Sequence, residues 1–337
     1  MNAPSVDPPD AARALVAARD AAVVCDLAPL SILAVTGADA ATFLQGQLSC
    51  DVDALGRGAC RLGTFNSPKG RVLASFVLWR DPPGGDGFAM LLAGDIAEPV
   101  AKRLRMHVLR SKVAIADVSG ETQRVGIGGP RAADALRAVF DSVPKLFEVR
   151  RFATFTLLGV PGNRYFVLAP EGDERLGARF ATVATPAGFD VWRWLTIRAG
   201  APVITAATQD AFVAQAANLD ILGAIDFQKG CYTGQEIIAR TQYLGRLKER
   251  TYLFHTPATD VSAGERIYSP AFEDQACGTV VSAARAPGGG SDLLAVLQIA
   301  AAERGDARLR APDGPQLDTL PLPYAIPAPS APRGRNA

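Results

Sequence analysis

The segment DFQKGCYTGQE, Asp226 to Glu236, places Cys231 directly after a Lys-Gly pair and just ahead of a helix start. Thr233 followed three residues later by Glu236 matches a capping box, and QEIIAR reads as a short helix with Gly234 at its first position. Cys231 then falls just before the N-cap, where free N–H groups and the positive end of the helix dipole gather. Lys229, two residues away, adds a second positive charge if its side chain points the same way. Both effects favour a thiolate and a thiol pKa below the roughly 8.5 of a free cysteine. Gly230 and Gly234 leave room for a ligand or a tight turn. The same residues equally describe a small packing cysteine in a strand-to-helix bend, the ordinary state of a free Cys. Residue types alone leave both roles open.

Two further clusters carry charge or aromatic surface. In FNSPKGRV, Phe65 to Val72, Lys69 and Arg71 flank Gly70 in a turn between strands. Two cations around a glycine make a modest anion site, or simply a solvated hairpin tip. In VWRWLTIRAG, Val191 to Gly200, Trp192 and Trp194 are two apart and share a face if the segment is a strand. Together with nearby arginines they could sandwich a planar heterocycle, or they form a core pair with solvated guanidinium groups.

Composition narrows the function class. Apolar residues make up 48% and charged residues 20% of the 337, which marks a globular protein with room for two or three domains. A net charge of +1 gives no global field toward nucleic acid or an anionic membrane. The five cysteines include no C-x-x-C pair, and His107 and His255 are remote from all of them in sequence, so no metal site is expected. Scattered free thiols suit a reducing compartment. The N-terminal segment lacks an apolar signal core, and no apolar run is long enough to span a bilayer. A cytoplasmic protein with no membrane and no direct nucleic-acid partner is the expectation.

The elements that must position these clusters follow from periodicity. Residues before about 21 read as a polar lead-in with one short helix. LSILAVTG is a strand, Gly37 to Gly46 a helix, and ACRLGTFN and RVLASFVLWR are strands joined at NSPKG. FAMLLAG is a strand, Asp95 to Leu109 a helix and KVAIADV a closing strand. A second unit repeats a related plan: TQRVGIGG, the helix PRAADALRAVF, the strands FATFTLLGV and RYFVLAP, a helix over Glu174 to Thr185, and GFDVWRW as a strand. The pattern β-α-β-β-α-β resembles a split βαβ unit. From about Leu247, short apolar segments between Gly/Pro turns predict a small β-barrel or sandwich, followed by a Pro-rich extended tail.

KGCYTGQE, Lys229 to Glu236, resembles the hallmark octapeptide of the YgfZ family, folate-binding relatives of the glycine-cleavage aminomethyltransferase. VTGADAATFLQGQLSCDV and NSPKGRVLASF resemble that family's N-terminal segment and hairpin, and RAGAPVI and the approach to the octapeptide match in type and order. The resemblance runs from about Leu30 to Arg250. It implies an α+β fold of two ferredoxin-like, split βαβ units and a C-terminal β-barrel around a central folate channel. The implied domains are 22–118 with 193–246, an aminomethyltransferase-like folate-binding domain; 119–192, a ferredoxin-like unit; and 247–325, the barrel. Residues 1–21 and 326–337 are left as flexible ends.

The resemblance also implies a role. The family is linked to iron–sulfur cluster assembly and, through iron–sulfur enzymes, to tRNA modification. Tetrahydrofolate or a related reduced folate is the implied cofactor, with transient iron–sulfur cluster contact at Cys231 and with assembly proteins or client iron–sulfur enzymes as partners. Implied folate contacts are Asn66, Lys69, Arg71, Trp192, Trp194, Arg198 and Gln235. Lys229, Gly230, Cys231, Tyr232, Gly234, Gln235 and Glu236 form the motif. Two departures matter. Where the transferase carries a catalytic aspartate this chain has Leu73, Ala74 and Ser75, which argues against conventional aminomethyl transfer. Where a pterin-pairing glutamate precedes the AG pair it has Arg198, which cannot accept hydrogen bonds. A one-carbon transferase is the alternative reading, provided another acid, Asp226 or Glu236, enters the pocket.

Overall fold

The computed structural model describes residues 8–81, 87–170, 175–243 and 247–327. The chain opens with helix α1 (Pro8–Asp20). The short helix expected in this lead-in is present, but it is not part of a flexible end. It buries Ala14, Leu15 and Ala18 instead, because its alanine-rich face recurs at helical spacing. Strand β1 (Val23–Asp26) follows. Then come β2 (Leu30–Thr36), α2 (Ala40–Gln47), β3 (Cys60–Asn66), β4 (Val72–Asp81), β5 (Gly87–Ala93), α3 (Ala97–Met106) and β6 (Ala114–Asp117). The five strands β2 to β6 form one antiparallel sheet in the order β3-β4-β5-β2-β6.

The second unit contains β7 (Thr122–Gly128), α4 (Ala132–Phe140), β8 (Val149–Phe152), β9 (Phe155–Val160), β10 (Arg164–Pro170), α5 (Arg175–Phe180) and β11 (Thr185–Ala187). The segment FATFTLLGV is not one strand. Ala153 adopts a left-handed φ of 50° in a two-residue turn that pairs Phe152 with Phe155. Each unit therefore follows β-α-β-β-β-α-β, with a meander where the split βαβ plan has a hairpin. The sheet order is β11-β1-β7-β10-β9-β8. β1 lies antiparallel to β7 and parallel to β11. The expected domain 22–118 includes it, yet it pairs into the sheet of the second unit.

The segment GFDVWRW is helical and not a strand: α6 covers Phe189–Arg198. Gly188 precedes it in extended conformation and Asp190 lies in its first turn, an arrangement that suits a helix N-terminus. Val191, Trp192 and Leu195 are buried at helical spacing. A Cβ on Gly126 of β7 would fall 2.5 Å from the Trp192 ring, so the missing side chain lets the helix lie directly on the strand. Two residues apart on a helix, Trp192 and Trp194 diverge by about 200°. They do not share a face.

An irregular stretch leads to α7 (Gln235–Tyr243). The remainder forms β12 (Glu249–Thr256), β13 (Arg266–Tyr268), β14 (Gly278–Arg285), β15 (Ser291–Gln298), α8 (Ile299–Ala302), β16 (Arg308–Leu309) and β17 (Asp318–Leu320). These six strands make a curled antiparallel half-barrel in the order β16-β13-β14-β15-β12-β17. The tail returns to the core: Tyr324 donates to the carbonyl of Gly200 at 2.7 Å. Among the described residues, no helix is long and apolar enough to cross a membrane.

Candidate functional site

The loop carrying Cys231 is docked on the end of α2. Asp226 donates its backbone N–H to Ser49 O at 2.9 Å, and the Ser49 hydroxyl donates to Ala224 O at 2.6 Å. The Asp226 carboxylate accepts from the N–H groups of Gln228 and Lys229, at 2.8 and 3.0 Å. Lys229 then turns inward. Its Nζ donates to the carbonyls of Gln45, Leu48 and Cys50 at 2.8, 2.6 and 2.8 Å. These oxygens belong to the C-terminal turn of α2 and the residues after it, where the dipole favours a cation. All three ammonium donors are used. Burial pulls the Lys229 pKa down, against the nearby acids that raise it. Tyr232 is buried, with its ring centroid 5.2 Å from the same ammonium group.

Cys231 is exposed between these two anchored neighbours. The lysine thus serves α2 rather than the thiol, contrary to the expected second charge at the sulfur. The expected capping box is also absent. Gly234, at φ +82°, precedes the helix and its carbonyl accepts from Ile238 N–H at 3.3 Å. The Thr233 hydroxyl points to Gln47 Oε1 at 3.5 Å. Gln235 starts α7 half-buried, and Gly230 and Glu236 are exposed. Cys25, Cys50, Cys60 and Cys277 are buried. Burial pushes the thiols of Cys50, Cys60 and Cys277 up to about 11, 12 and 11, and raises Cys25 as well.

The hairpin NSPKGR meets this loop through backbone. A Cβ on Gly234 would come within 2.5 Å of Ser67 O and 3.0 Å of Gly70 Cα, and one on Gly70 within 2.9 Å of Ile237 Cβ. The two segments lie far apart in sequence and share a glycine-to-glycine contact. Arg71 donates to Ala211 O, and Ser67 Oγ donates to Asp210 Oδ1 at 2.8 Å. Lys69 is exposed at the tip. Asn66 is buried, donating Nδ2 to Thr64 Oγ1 at 2.9 Å, with its Oδ1 unpartnered among the described residues.

A cavity of about 490 Å3 lies where the three sheets converge, with Ser75 and Phe76 of β4, Phe166 of β10, Trp192 of α6 and Val281 of β14 on its walls. That volume is within the ~300–1,000 Å3 of typical ligand pockets. Trp192 and Phe166 approach to 5.2 Å between ring centroids. The Ser75 hydroxyl accepts from Ile204 N–H at 3.0 Å and donates to Pro202 O at 3.4 Å.

Of the sequence-derived folate contacts, only Trp192 lines this cavity. Asn66, Lys69, Arg71 and Gln235 cluster at the hairpin and the motif. Trp194 donates Nε1 to Asp292 Oδ2 at 2.9 Å, and Arg198 sits 3.6 Å from the same carboxylate, so both tie α6 to β15. His255 Nδ1 completes that cluster, 2.9 Å from Asp292 Oδ1. Asp226 and Glu236 do not reach the cavity. The acid that does is Asp95, which sequence reading left as the start of a helix; its carboxylate accepts from Ala206 N–H at 3.0 Å. Arg164 was missed too, since nothing in RYFVLAP marks its first residue as facing a cavity. Among the described residues, no group of three or more His, Cys, Asp or Glu side chains is arranged to hold a metal ion.

Comparison with known proteins agrees with this architecture. Residues 8–165 match the family model of the GCVT N-terminal domain. The chain is 32% identical over 302 residues to the tRNA-modifying protein YgfZ of Shigella sonnei, covering 88% of this chain and 91% of that one. The protein of the same name from Escherichia coli K12 gives the same identity and coverage. The glycine cleavage system aminomethyltransferase T of Bartonella henselae superposes with a TM-score of 0.77 at 15% identity, over 94% of this chain and 90% of that one, a likeness of fold. With that identity sustained over nearly the whole length, the chain belongs to the YgfZ family.

Proposed function

We propose that this protein is a tetrahydrofolate-binding accessory factor for iron–sulfur cluster assembly or repair, supporting tRNA modification through the iron–sulfur enzymes it serves. The observation that carries the reading is the presentation of Cys231: it is exposed while Lys229 and Tyr232 on either side are anchored inward. Such a loop holds a thiol at the surface for a macromolecular partner, either an assembly protein or a client enzyme. A cluster passing through this site needs further ligands from that partner, since clusters of this kind usually take four cysteines. The test is complementation in cells lacking the native gene. Cys231→Ser should fold normally and fail to restore iron–sulfur client activity. Full complementation by the serine variant would return Cys231 to a structural role.

The cavity residues fit a reduced folate. Its size and its aromatic pair, Trp192 and Phe166, suit a planar ring of the folate. Bound tetrahydrofolate supplies a carrier for one-carbon units. Asp95 offers a carboxylate for ring N–H donors, the part that Arg198, paired to Asp292, does not play. Ser75 lies in the stretch that the resemblance aligns with the transferase aspartate, and its hydroxyl is already bonded to backbone. Asp95 also keeps the one-carbon transferase as a second reading. Turnover of a folate-bound methylene group that is lost in Asp95→Asn would favour it.

A further inference from the structure

Arg164 stands at the start of β10, 4% exposed, and lines the cavity. Its Nε donates to Pro161 O at 2.9 Å and its Nη1 to Thr196 Oγ1 at 2.6 Å. The Thr196 hydroxyl in turn donates to Trp192 O at 2.8 Å, so its orientation is fixed. The guanidinium carbon lies 5.2 Å from the Trp192 ring centroid. Among the described residues, Nη2 has no acceptor. No carboxylate among the described residues offsets the charge, and burial alone pulls the pKa down to about 9, which still leaves the group protonated at neutral pH. Of the other charged wall residues, Arg193 pairs with Asp190 at 3.0 Å, and Asp95 is an acid that accepts from Ala206 N–H and bears the wrong sign for an anion. Ser282, also on the wall, has a buried hydroxyl with no partner among the described residues.

A buried charge without a counter-charge is costly, and the cost falls when a ligand supplies the missing anion. We propose that Arg164 anchors a carboxylate of the cavity ligand through its unused Nη2 edge. The ligand class is then a planar, largely apolar molecule bearing a carboxylate. For the identity of that ligand the proposal rests on the folate reading above, and it sets the glutamyl end, rather than the pterin, against Arg164. The cations at the hairpin, Lys69 and Arg71, are left out of ligand binding.

The test uses the full chain, as wild type, Arg164→Met and Arg164→Lys, with isothermal titration and thermal shift. The probes are 5-formyltetrahydrofolate, p-aminobenzoylglutamate, and the diamide of the latter, which lacks both carboxylates. Circular dichroism and the lysine variant guard against misfolding. The expected result is that wild type prefers the acid to the diamide. Arg164→Met should weaken both acids on the order of 30-fold or more and leave the diamide unchanged. Arg164→Lys should fall between, since a point charge replaces a planar fork. Equal binding of acid and diamide by wild type, or unchanged acid binding by a folded Arg164→Met, overturns the proposal. If wild type binds the benzoylglutamate in an Arg164-dependent way but not the reduced folate, the folate reading fails and the assignment of Arg164 stands. If wild type binds the folate and Arg164→Met binds it equally, the reverse holds. Binding of none of the probes overturns both.

Discussion

The ammonium group of Lys229 lies 2.6 Å from the carbonyl oxygen of Leu48, the residue that caps the C-terminus of α2. That contact, with the two beside it, makes the motif lysine a clamp between the cysteine loop and the first sheet unit. Removing it leaves three carbonyls without their shared donor. Lys229→Ala should destabilise the protein by about 1–3 kcal/mol in urea unfolding. Lys229→Arg should restore only part, because a planar fork cannot fan three donors as an ammonium does. An unchanged midpoint for the alanine variant would show that the clamp adds nothing.

The contact between Gly70 and Gly234 predicts a contrast between glycines of one loop. Gly234 needs a left-handed backbone and meets Ser67 O at 2.5 Å from where a Cβ would lie, whereas Gly230 has nothing within 4 Å. Gly234→Ala should cost about 1–3 kcal/mol or more. Gly230→Ala should sit within about 0.5 kcal/mol of wild type, as surface changes usually do. Equal melting temperatures for the two variants would contradict the packing described.

Native-state labelling should separate the thiols. Cys231 is exposed, while burial raises Cys50, Cys60 and Cys277 to about 11, 12 and 11 and lifts Cys25. Since the thiolate is the nucleophile, iodoacetamide at pH 7.5 should modify Cys231 first and leave the other four largely intact until denaturant is added. Peptide mapping by mass spectrometry reads the order. Labelling of Cys25 or Cys277 as fast as Cys231 would refute it.

Ligand binding should report through one tryptophan. Trp192 lines the cavity and Trp194 is held by Asp292. Quenching of intrinsic fluorescence by a reduced folate should vanish in Trp192→Phe and survive in Trp194→Phe. The latter should instead lose about 1.5–3 kcal/mol of stability with its hydrogen bond to a carboxylate. Quenching that persists in Trp192→Phe would move the ligand elsewhere.

The sequence by itself determined the local elements whose periodicity is strong. The strands β2 to β7 and the half-barrel strands β12 to β15 lie where alternation and turn residues put them, and the octapeptide identified the loop that matters. It misread α6, because apolar residues at positions 191, 192, 194 and 195 fit a half-buried strand as well as a helix. The missing side chains of Gly126 and Gly128 on β7 make room for the helix. It also misassigned β1, since which sheet a short strand joins depends on which edge is open and not on its own residues.

The site divided in the same way. Residue types marked Cys231, Lys229 and the hairpin as a constellation, and the tertiary structure brings the hairpin and the motif together at Gly70 and Gly234. What no local pattern encodes is where a long side chain ends. Lys229 reaches back to carbonyls far away in sequence, Arg198 and Trp194 reach Asp292, and Arg164 and Asp95 come to one cavity from separate sheet strands and helix starts. Those destinations follow from how the three sheets pack, because a charged head group goes where the folded chain leaves it an unpaired partner.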